Sequence, residues 1–228
     1  MSQDLSETSI AERRAAILER IALAAKSSGR SAGEITFVAV SKQQPDQNVA
    51  AALAAGHRVF GENRVQEAAA RWDERFMGHR DQIELRLIGP LQTNKAVDAC
   101  SLFDVIETLD RMKLAGALIK AAEKTGRMPR LFVQVNIGAE DQKSGVLPGD
   151  LSGFLKSLKS EYDITPEGLM CIPPLGEAAS PHFWYLANLA ENHGIQNLSM
   201  GMSSDYETAI KMGATHIRIG SAFLGVRG

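Results

Sequence analysis

The feature that most constrains the fold of this chain is a repeated alternation of short apolar segments with longer amphipathic ones. Each apolar segment is rich in residues that favour strands, and most are followed by a segment with apolar residues at helical spacing. Strands that alternate with helices form parallel sheets with right-handed crossovers. We predict eight strands, at 35–40, 58–60, 85–88, 103–107, 131–137, 168–172, 197–200 and 216–219. Eight such units predict an α/β fold that closes into a (β/α)₈ barrel.

An open, doubly wound sheet is the alternative architecture. The Gly-x-Gly-x-x-Gly pattern that often follows the first strand of such a sheet does not follow Val40. An extra helix precedes the first strand, and Ser9 and Glu12 form a capping box at its start. If residues 1–34 hold this helix, 194 of the 228 residues remain, or about 24 per strand–helix unit. We therefore expect one barrel domain over 1–228, with no second domain.

Composition excludes several classes of function. The chain has 25 basic and 27 acidic residues, so its overall charge favours neither nucleic acid nor an anionic membrane as a partner. Its polar start does not resemble a signal peptide, and no apolar run is long enough to span a membrane. Cys100 and Cys171 form no CxxC pair, which is typical of reduced thiols in a cytoplasmic protein. The histidines lack the spacing of metal ligands, so we expect no metal site.

Lys42 is the first candidate for chemistry, because active sites of (β/α)₈ barrels lie where the strands end. It lies just past the most apolar predicted strand, after Ser41. Desolvation in the barrel mouth would lower the pKa of its ammonium group, and a neutral amine is what Schiff-base chemistry requires. The alternative is a surface lysine whose ammonium group reaches solvent. Lys95 and Lys143, which follow the third and fifth strands, are rival candidates.

The loops after the last two strands predict a phosphate site, which is a common location in such barrels. Glycines let backbone N–H groups approach an anion closely, and serine hydroxyls add donors. A helix capped by Ser204 and Glu207 would direct its positive end at the same place. The alternative is a pair of ordinary glycine–serine turns. The predicted phosphate-binding residues are Ser199, Gly201, Gly220 and Ser221.

Arg218 is unusual because it lies between Ile217 and Ile219 in an apolar strand. Strand alternation places it on the face opposite the isoleucines, and a guanidinium inside the barrel must be paired with a carboxylate or with a ligand atom. Facing a heterocyclic nitrogen, it would keep that nitrogen unprotonated. Asn63 follows the second strand, where its amide either caps the next helix or reaches a ligand.

Several segments occur together in one order along the chain. They are AVSK at 39–42, FGEN at 60–63, VQE at 65–67, IGPLQTNK at 88–95, VNI at 135–137, KSG at 143–145, GLMCIP at 168–173, LSMGMS at 198–203 and IRIG at 217–220. This combination resembles the pyridoxal phosphate homeostasis proteins of the YggS/PROSC type, and the likeness runs from about Ile35 to Gly225.

The resemblance implies a single barrel like that of alanine racemase. It implies pyridoxal 5′-phosphate (PLP) bound as a Schiff base to Lys42, with its ring nitrogen facing Arg218 and Asn63 beside it. It places the phosphate around Ser199, Gly201, Gly220 and Ser221. It further implies a cytoplasmic monomer that carries or regulates PLP without established catalysis, with PLP-dependent apoenzymes as transient partners.

Two departures from the family are visible. Leu85-Arg86-Leu87 stands where the family often has Trp-His-Phe, and Cys171 replaces a small residue. Two other functions share the same lysine. A PLP-dependent racemase or decarboxylase would need an acid or base opposite the lysine, and the tyrosines lie away from the predicted strand ends. A Schiff-base aldolase of a sugar phosphate would need no cofactor.

Overall fold

The computed structural model describes residues 9–225, which form a closed barrel of eight parallel strands. The strands are β1 (Thr36–Val40), β2 (Val59–Glu62), β3 (Glu84–Leu87), β4 (Val105–Leu109), β5 (Arg130–Val135), β6 (Gly168–Cys171), β7 (Asn197–Ser199) and β8 (His216–Ile219). They pair in chain order, and β8 closes the barrel against β1, where Phe37 lies opposite Ile217. The predicted (β/α)₈ architecture is confirmed.

Helices surround the barrel. They are α1 (Ile10–Ser27), α2 (Asp46–Ala54), α3 (Val65–Ala69), α4 (Ala96–Leu102), α5 (Met112–Thr125), α6 (Leu151–Tyr162), α7 (Ala179–Asn192), α8 (Tyr206–Lys211) and α9 (Ser221–Leu224). A π-helical turn, Ala70–Arg75, continues α3. Within 9–225, no helix is both long and apolar enough to cross a membrane. Residues 1–8 and 226–228, which the predicted domain over 1–228 includes, lie outside the described residues.

Helix α1 packs against the outside of the barrel. Ser9 and Glu12 form the predicted capping box, with the Ser9 hydroxyl accepting from the Glu12 N–H at 3.2 Å. The apolar face of α1 contacts α8 and α9, and Ile17 and Ile21 on this face are buried. The helix therefore covers the part of the barrel where β8 meets β1.

The barrel interior is charged at its centre. Glu107 in β4 accepts a hydrogen bond from Ser199 in β7 at 2.5 Å, and a contact between these two non-neighbouring strands crosses the interior. Arg86 is fully buried and lies over the ring of Phe132 on the same side of the strands. Apolar side chains of β4, β5 and β6 fill the space beside these groups, namely Val105, Phe132 and Met170.

The start of α8 differs from the prediction. Its N-cap is Asp205, not Ser204, and Glu207 forms an ion pair with Arg20 instead of a capping box. The Asp205 carboxylate accepts the N–H of Met202 at 2.6 Å, which closes a turn over 202–205 before the helix begins. The predicted capping box at this position was wrong, because the turn over 202–205 delays the start of the helix to Tyr206 and places Asp205, not Ser204, at the N-cap.

Candidate functional site

Four neighbouring strands bring the predicted site residues to one end of the barrel. In the closed sheet the order β7, β8, β1, β2 is continuous. Their carboxyl ends are followed by Gly201, by Gly220 and Ser221, by Lys42, and by Asn63, respectively. Lys42 therefore follows the strand between the glycine loops on one side and the asparagine on the other.

Arg71 holds the turn that carries Lys42. Its guanidinium donates to the carbonyl oxygens of Ser41 and Gln44, both at 2.6 Å, and these two residues bracket Lys42 along the chain. Gln43 has a φ of 56°, which gives the turn its tight shape. Lys42 itself is partly buried. The lysine thus starts from a backbone that a buried cation fixes on both sides.

A buried carboxylate supports Arg71 from behind. Glu62, at the end of β2, accepts hydrogen bonds from Arg71 and from the Ser41 hydroxyl, both at 2.8 Å. Trp72 Nε1 lies 3.4 Å from the same oxygen. Burial raises the pKa of Glu62, while the charge of Arg71 opposes that rise. Sequence reasoning did not find this cluster, because the π-helical turn that carries Arg71 leaves no recognisable pattern.

The loop after β7 is built around Gly201. This residue has a φ of 92°, and a Cβ atom here would lie 2.5 Å from the Cβ of Ala209. Its carbonyl accepts the N–H of Arg218 at 3.0 Å, which ties the loop to β8. Glycine is therefore required at this position for two reasons: the backbone has a positive φ, and there is no room for a Cβ atom.

Ser203 is a candidate that the prediction missed. Its hydroxyl accepts the N–H of Gly220 at 3.4 Å, so it joins the loops after β7 and β8. Ser221 is exposed at the start of α9. The only signal in the sequence was the position of Ser203 two residues after Gly201, which placed it in the same loop. Backbone N–H groups and hydroxyls that converge in this way suit a phosphate.

Arg218 points into the barrel, as strand alternation predicts. It is 4% exposed and donates to Ser199 Oγ at 2.7 Å and to the carbonyl of Cys171 at 2.8 Å. Ser199 is fully buried and donates in turn to Glu107. The structure thus places Ser199 inside the barrel, beside the guanidinium, and not on the loop that follows β7. The predicted carboxylate partner of Arg218 is present, but it acts through a hydroxyl.

Asn63 lies at the edge of two cavities. Its Oδ1 atom is buried and accepts no hydrogen bond from the residues in 9–225. One cavity, of about 260 Å³, also contacts Gly89, Gln134 and Lys143. The other, of about 720 Å³, is lined in part by Lys95. An unsatisfied buried amide oxygen at a cavity indicates a missing donor, which fits the expected position beside a ligand.

The two rival lysines have other partners. Lys143 donates to the carbonyl of Pro173 at 3.1 Å and forms an ion pair with Glu140. Lys95 lies 3.8 Å from the carboxylate of Asp98. Both follow strands outside the β7–β8–β1–β2 group, away from the loops that suit a phosphate.

Comparison with known families gives one match over most of the chain. Residues 14–228 match the family described as alanine racemase, N-terminal domain. A pyridoxal phosphate homeostasis protein of Pseudomonas aeruginosa is 39% identical in an alignment of 228 positions that covers 96% of this chain and 96% of its own. The protein with the same description in Escherichia coli K12 is 35% identical, over 96% of this chain and 97% of its own.

Solved structures agree with these sequence matches. PipY of Synechococcus elongatus PCC7942, solved with PLP bound, superposes with a TM-score of 0.79 and 35% identity, over 95% of this chain and 100% of PipY. The same protein without PLP gives a TM-score of 0.82 and 36% identity. Alanine racemase of Clostridium difficile 630 has a TM-score of 0.67 at 14% identity, over 90% of this chain and 56% of its own, which shows a shared fold alone.

Proposed function

The chain belongs to the family of pyridoxal phosphate homeostasis proteins, and on that premise we propose that it binds PLP at Lys42 and acts in the homeostasis of this cofactor. The observation that carries the proposal is the arrangement at the mouth of the barrel. Three adjacent strands, β7, β8 and β1, carry the groups that the cofactor needs. These groups are the amine of Lys42, the glycine–serine loops and the buried guanidinium of Arg218. PipY, which is described with PLP bound, supports the choice of cofactor.

Each residue has a distinct role in the proposed site. Bound PLP would supply an aldehyde group, and the amine of Lys42 would hold it covalently with the release of water. Arg71, through its hydrogen bonds to the carbonyl oxygens of Ser41 and Gln44, holds the backbone from which Lys42 extends. Gly201, Gly220 and Ser221 would hold the phosphate, and we add Ser203 to this group because it bonds to Gly220.

The buried groups below the mouth complete the proposed site. Arg218 would face the ring nitrogen and keep it unprotonated, because a second positive charge close by is unfavourable. Ser199 would act through Arg218, to which it is hydrogen-bonded. The Asn63 amide would lie beside the cofactor. Its buried oxygen, which accepts no hydrogen bond from the described residues, would there accept one from the ligand.

We further propose that the protein holds and releases PLP without catalysing a reaction. An amino-acid racemase or decarboxylase needs an acid or base on the face opposite the lysine. Tyr162 and Tyr185 lie in α6 and α7, outside the barrel strands, and the ring of Tyr206 in α8 faces Arg20 of the outer helix α1. His216 lies beside Phe132, and burial lowers its pKa to about 4, so it is uncharged at neutral pH. These features favour a carrier of the cofactor.

The visible absorption spectrum of the purified protein tests the proposal. Added PLP is expected to give the band of a Schiff base, and Lys42→Ala is expected to abolish it. Lys95→Ala and Lys143→Ala are the matched controls, and both should keep the band. Loss of the band in a control but not in Lys42→Ala would move the site to that lysine, and a wild-type protein that takes up no PLP would refute the proposal.

A second measurement separates the carrier from an enzyme. Exchange of the Cα proton of added amino acids in deuterated water is expected to stay at the rate of free PLP. A faster rate that disappears in Lys42→Ala would instead support a racemase or decarboxylase.

A further inference from the structure

A line of buried polar groups crosses the barrel from β3 to β8. Arg86 Nε donates to Glu107 Oε1 at 2.5 Å, and the other carboxylate oxygen accepts from Ser199 Oγ, also at 2.5 Å. Ser199 in turn accepts from Arg218 at 2.7 Å. Arg86, Glu107 and Ser199 are fully buried. The four side chains thus form one continuous chain of hydrogen bonds that ends at the guanidinium below the proposed cofactor site.

Glu107 is ionised in this chain. Burial alone would raise the pKa of its carboxyl group, but the charges of Arg86 and Arg218 and the hydrogen bonds from Ser199 and Arg86 outweigh burial and lower it. An ionised carboxylate only accepts hydrogen bonds. Both of the hydrogen bonds that Glu107 makes must therefore be donated by its neighbours.

The charge of Glu107 fixes the direction of every bond in the chain. Ser199 has a single O–H group, and it must point at Glu107, because the carboxylate has no proton to give. The lone pairs of Ser199 are then left to accept from Arg218, which has donors only. A neutral group in place of the carboxylate would remove this constraint.

The position of Arg218 depends on two contacts. One is the backbone carbonyl of Cys171, which accepts from Nη2 at 2.8 Å and does not depend on any side chain. The other is Ser199, which depends on Glu107. A guanidinium held at two of its nitrogens is fixed in orientation, whereas one contact alone lets the planar group swing.

We propose that Glu107, held in place by Arg86, is a positioning residue that acts through Ser199 to fix the guanidinium of Arg218 against the ring nitrogen of bound PLP. This inference rests on the proposed function. In this arrangement Arg86, at the centre of the segment Leu85-Arg86-Leu87, anchors the carboxylate of Glu107.

The test compares variants that break the chain at one place each. Ser199→Ala removes the link to Arg218 without changing any charge, and Glu107→Gln keeps the shape of the side chain but removes its charge. Both are expected to weaken PLP binding about 10- to 100-fold, which corresponds to the loss of one hydrogen bond to a charged group. Ser199→Thr retains the hydroxyl and is expected to restore most of the affinity.

Glu84→Gln is the matched control. Glu84 also binds Arg86, at 2.5 Å, but its other partner is Arg130 and not Ser199. The Glu84→Gln variant is expected to bind PLP with the affinity of the wild type. The melting temperature of each variant shows whether the barrel remains folded, and Ser199→Ala carries the test if Glu107→Gln does not fold.

A second readout is one that a purely structural role would leave unchanged. The ¹⁵N chemical shift of PLP labelled at its ring nitrogen reports whether that nitrogen is protonated. In Ser199→Ala the looser guanidinium is expected to raise the pKa of the ring nitrogen, and Ser199→Thr should return it to the wild-type value. Wild-type affinity and an unchanged ring-nitrogen pKa in Ser199→Ala would overturn the inference, whereas a wild-type protein without PLP would overturn the proposed function itself.

Discussion

At the scale of the residue, Gly201 shows how little freedom the proposed phosphate loop has. Gly201→Ala would combine a left-handed backbone with a Cβ atom 2.5 Å from Ala209. We expect it to cost about 2–4 kcal/mol in the free energy of unfolding, from backbone strain plus overpacking. We also expect weaker PLP binding, since the loop must move to admit the methyl group. Urea denaturation and a PLP titration measure the two effects.

Gly213→Ala is the control for this substitution. Gly213 has a φ of 101°, but the nearest atom to its added Cβ, Leu198 Cδ1, lies 3.7 Å away. It should lose only the cost of the left-handed backbone, about 1–2 kcal/mol, and bind PLP normally. Equal losses of stability and of affinity in the two variants would show that the contact with Ala209 has no effect.

The side chains of the site were predictable to different degrees. Alternation along β8 was enough to direct Arg218 into the barrel, because a strand turns successive residues to opposite faces. The same rule could not predict what Ser199 does. Its hydroxyl points at Glu107, a residue of β4 that is 92 positions away in the chain, and no local pattern records that contact. Ser203 was overlooked because its role depends on the loop after β8.

At the scale of the element, the turn after β1 is expected to depend on Arg71. Arg71→Lys keeps the positive charge beside Glu62, but an ammonium group cannot replace the planar fork that reaches both Ser41 and Gln44. We expect faster hydrogen exchange at the amides of 41–44 and PLP binding that is about tenfold weaker, equivalent to one lost hydrogen bond of a charged group. Mass spectrometry and a PLP titration measure these changes.

Arg75→Lys is the matched control for the turn. Arg75 lies in the same π-helical turn and forms an ion pair with Asp46 at 2.6 Å, a residue that Arg71 also contacts. It makes no recorded contact with Ser41 or Gln44, so exchange at 41–44 should stay at the wild-type rate. A similar increase in both variants would mean that the turn responds to the helix as a whole and not to the two hydrogen bonds.

The elements themselves were largely predictable, and their limits were not. Parallel strands buried on both faces give continuous apolar runs, which is why all eight were found. The prediction for β4 covered 103–107, whereas the strand is Val105–Leu109. Phe103 is apolar and fully buried, but it ends α4. The apolar character of a residue indicates that it is buried. The backbone hydrogen bonds to neighbouring strands, which the sequence does not show, decide where a strand begins.

At the scale of the whole molecule, stability is expected to fall in acid, and His57 contributes to this fall. Its ring contacts Phe37, Phe60 and Phe223, and burial lowers its pKa from 6.5 to about 4. Between these two pH values the imidazole of His57 is therefore protonated in the unfolded chain and neutral in the folded chain. The contribution of His57 is fully present above pH 6.5 and is lost as the pH falls toward 4, at up to about 1.4 kcal/mol per pH unit.

The variant His57→Gln isolates this contribution, since an amide can still donate to the carbonyl of Val59, 2.8 Å from the imidazole. Its free energy of unfolding should fall less steeply between pH 6.5 and 4 than that of the wild type. His193→Gln, which makes the same replacement at an exposed histidine, is the control. Parallel curves for wild type and His57→Gln would contradict the expectation.

The ion pair between Arg86 and Glu107 also bears on how the sequence can change over generations. Loss of either residue alone removes the strongest partner of a buried charge and leaves Arg86 with Glu84, or Glu107 with Ser199 beside Arg218, which is expected to destabilise the barrel by a few kcal/mol. The two positions should therefore be inherited as a unit. Homologues that carry an uncharged side chain in place of Arg86 are expected to lack the carboxylate of Glu107 as well, and lineages that exchanged the pair must have passed through a less stable ancestor or changed both codons together.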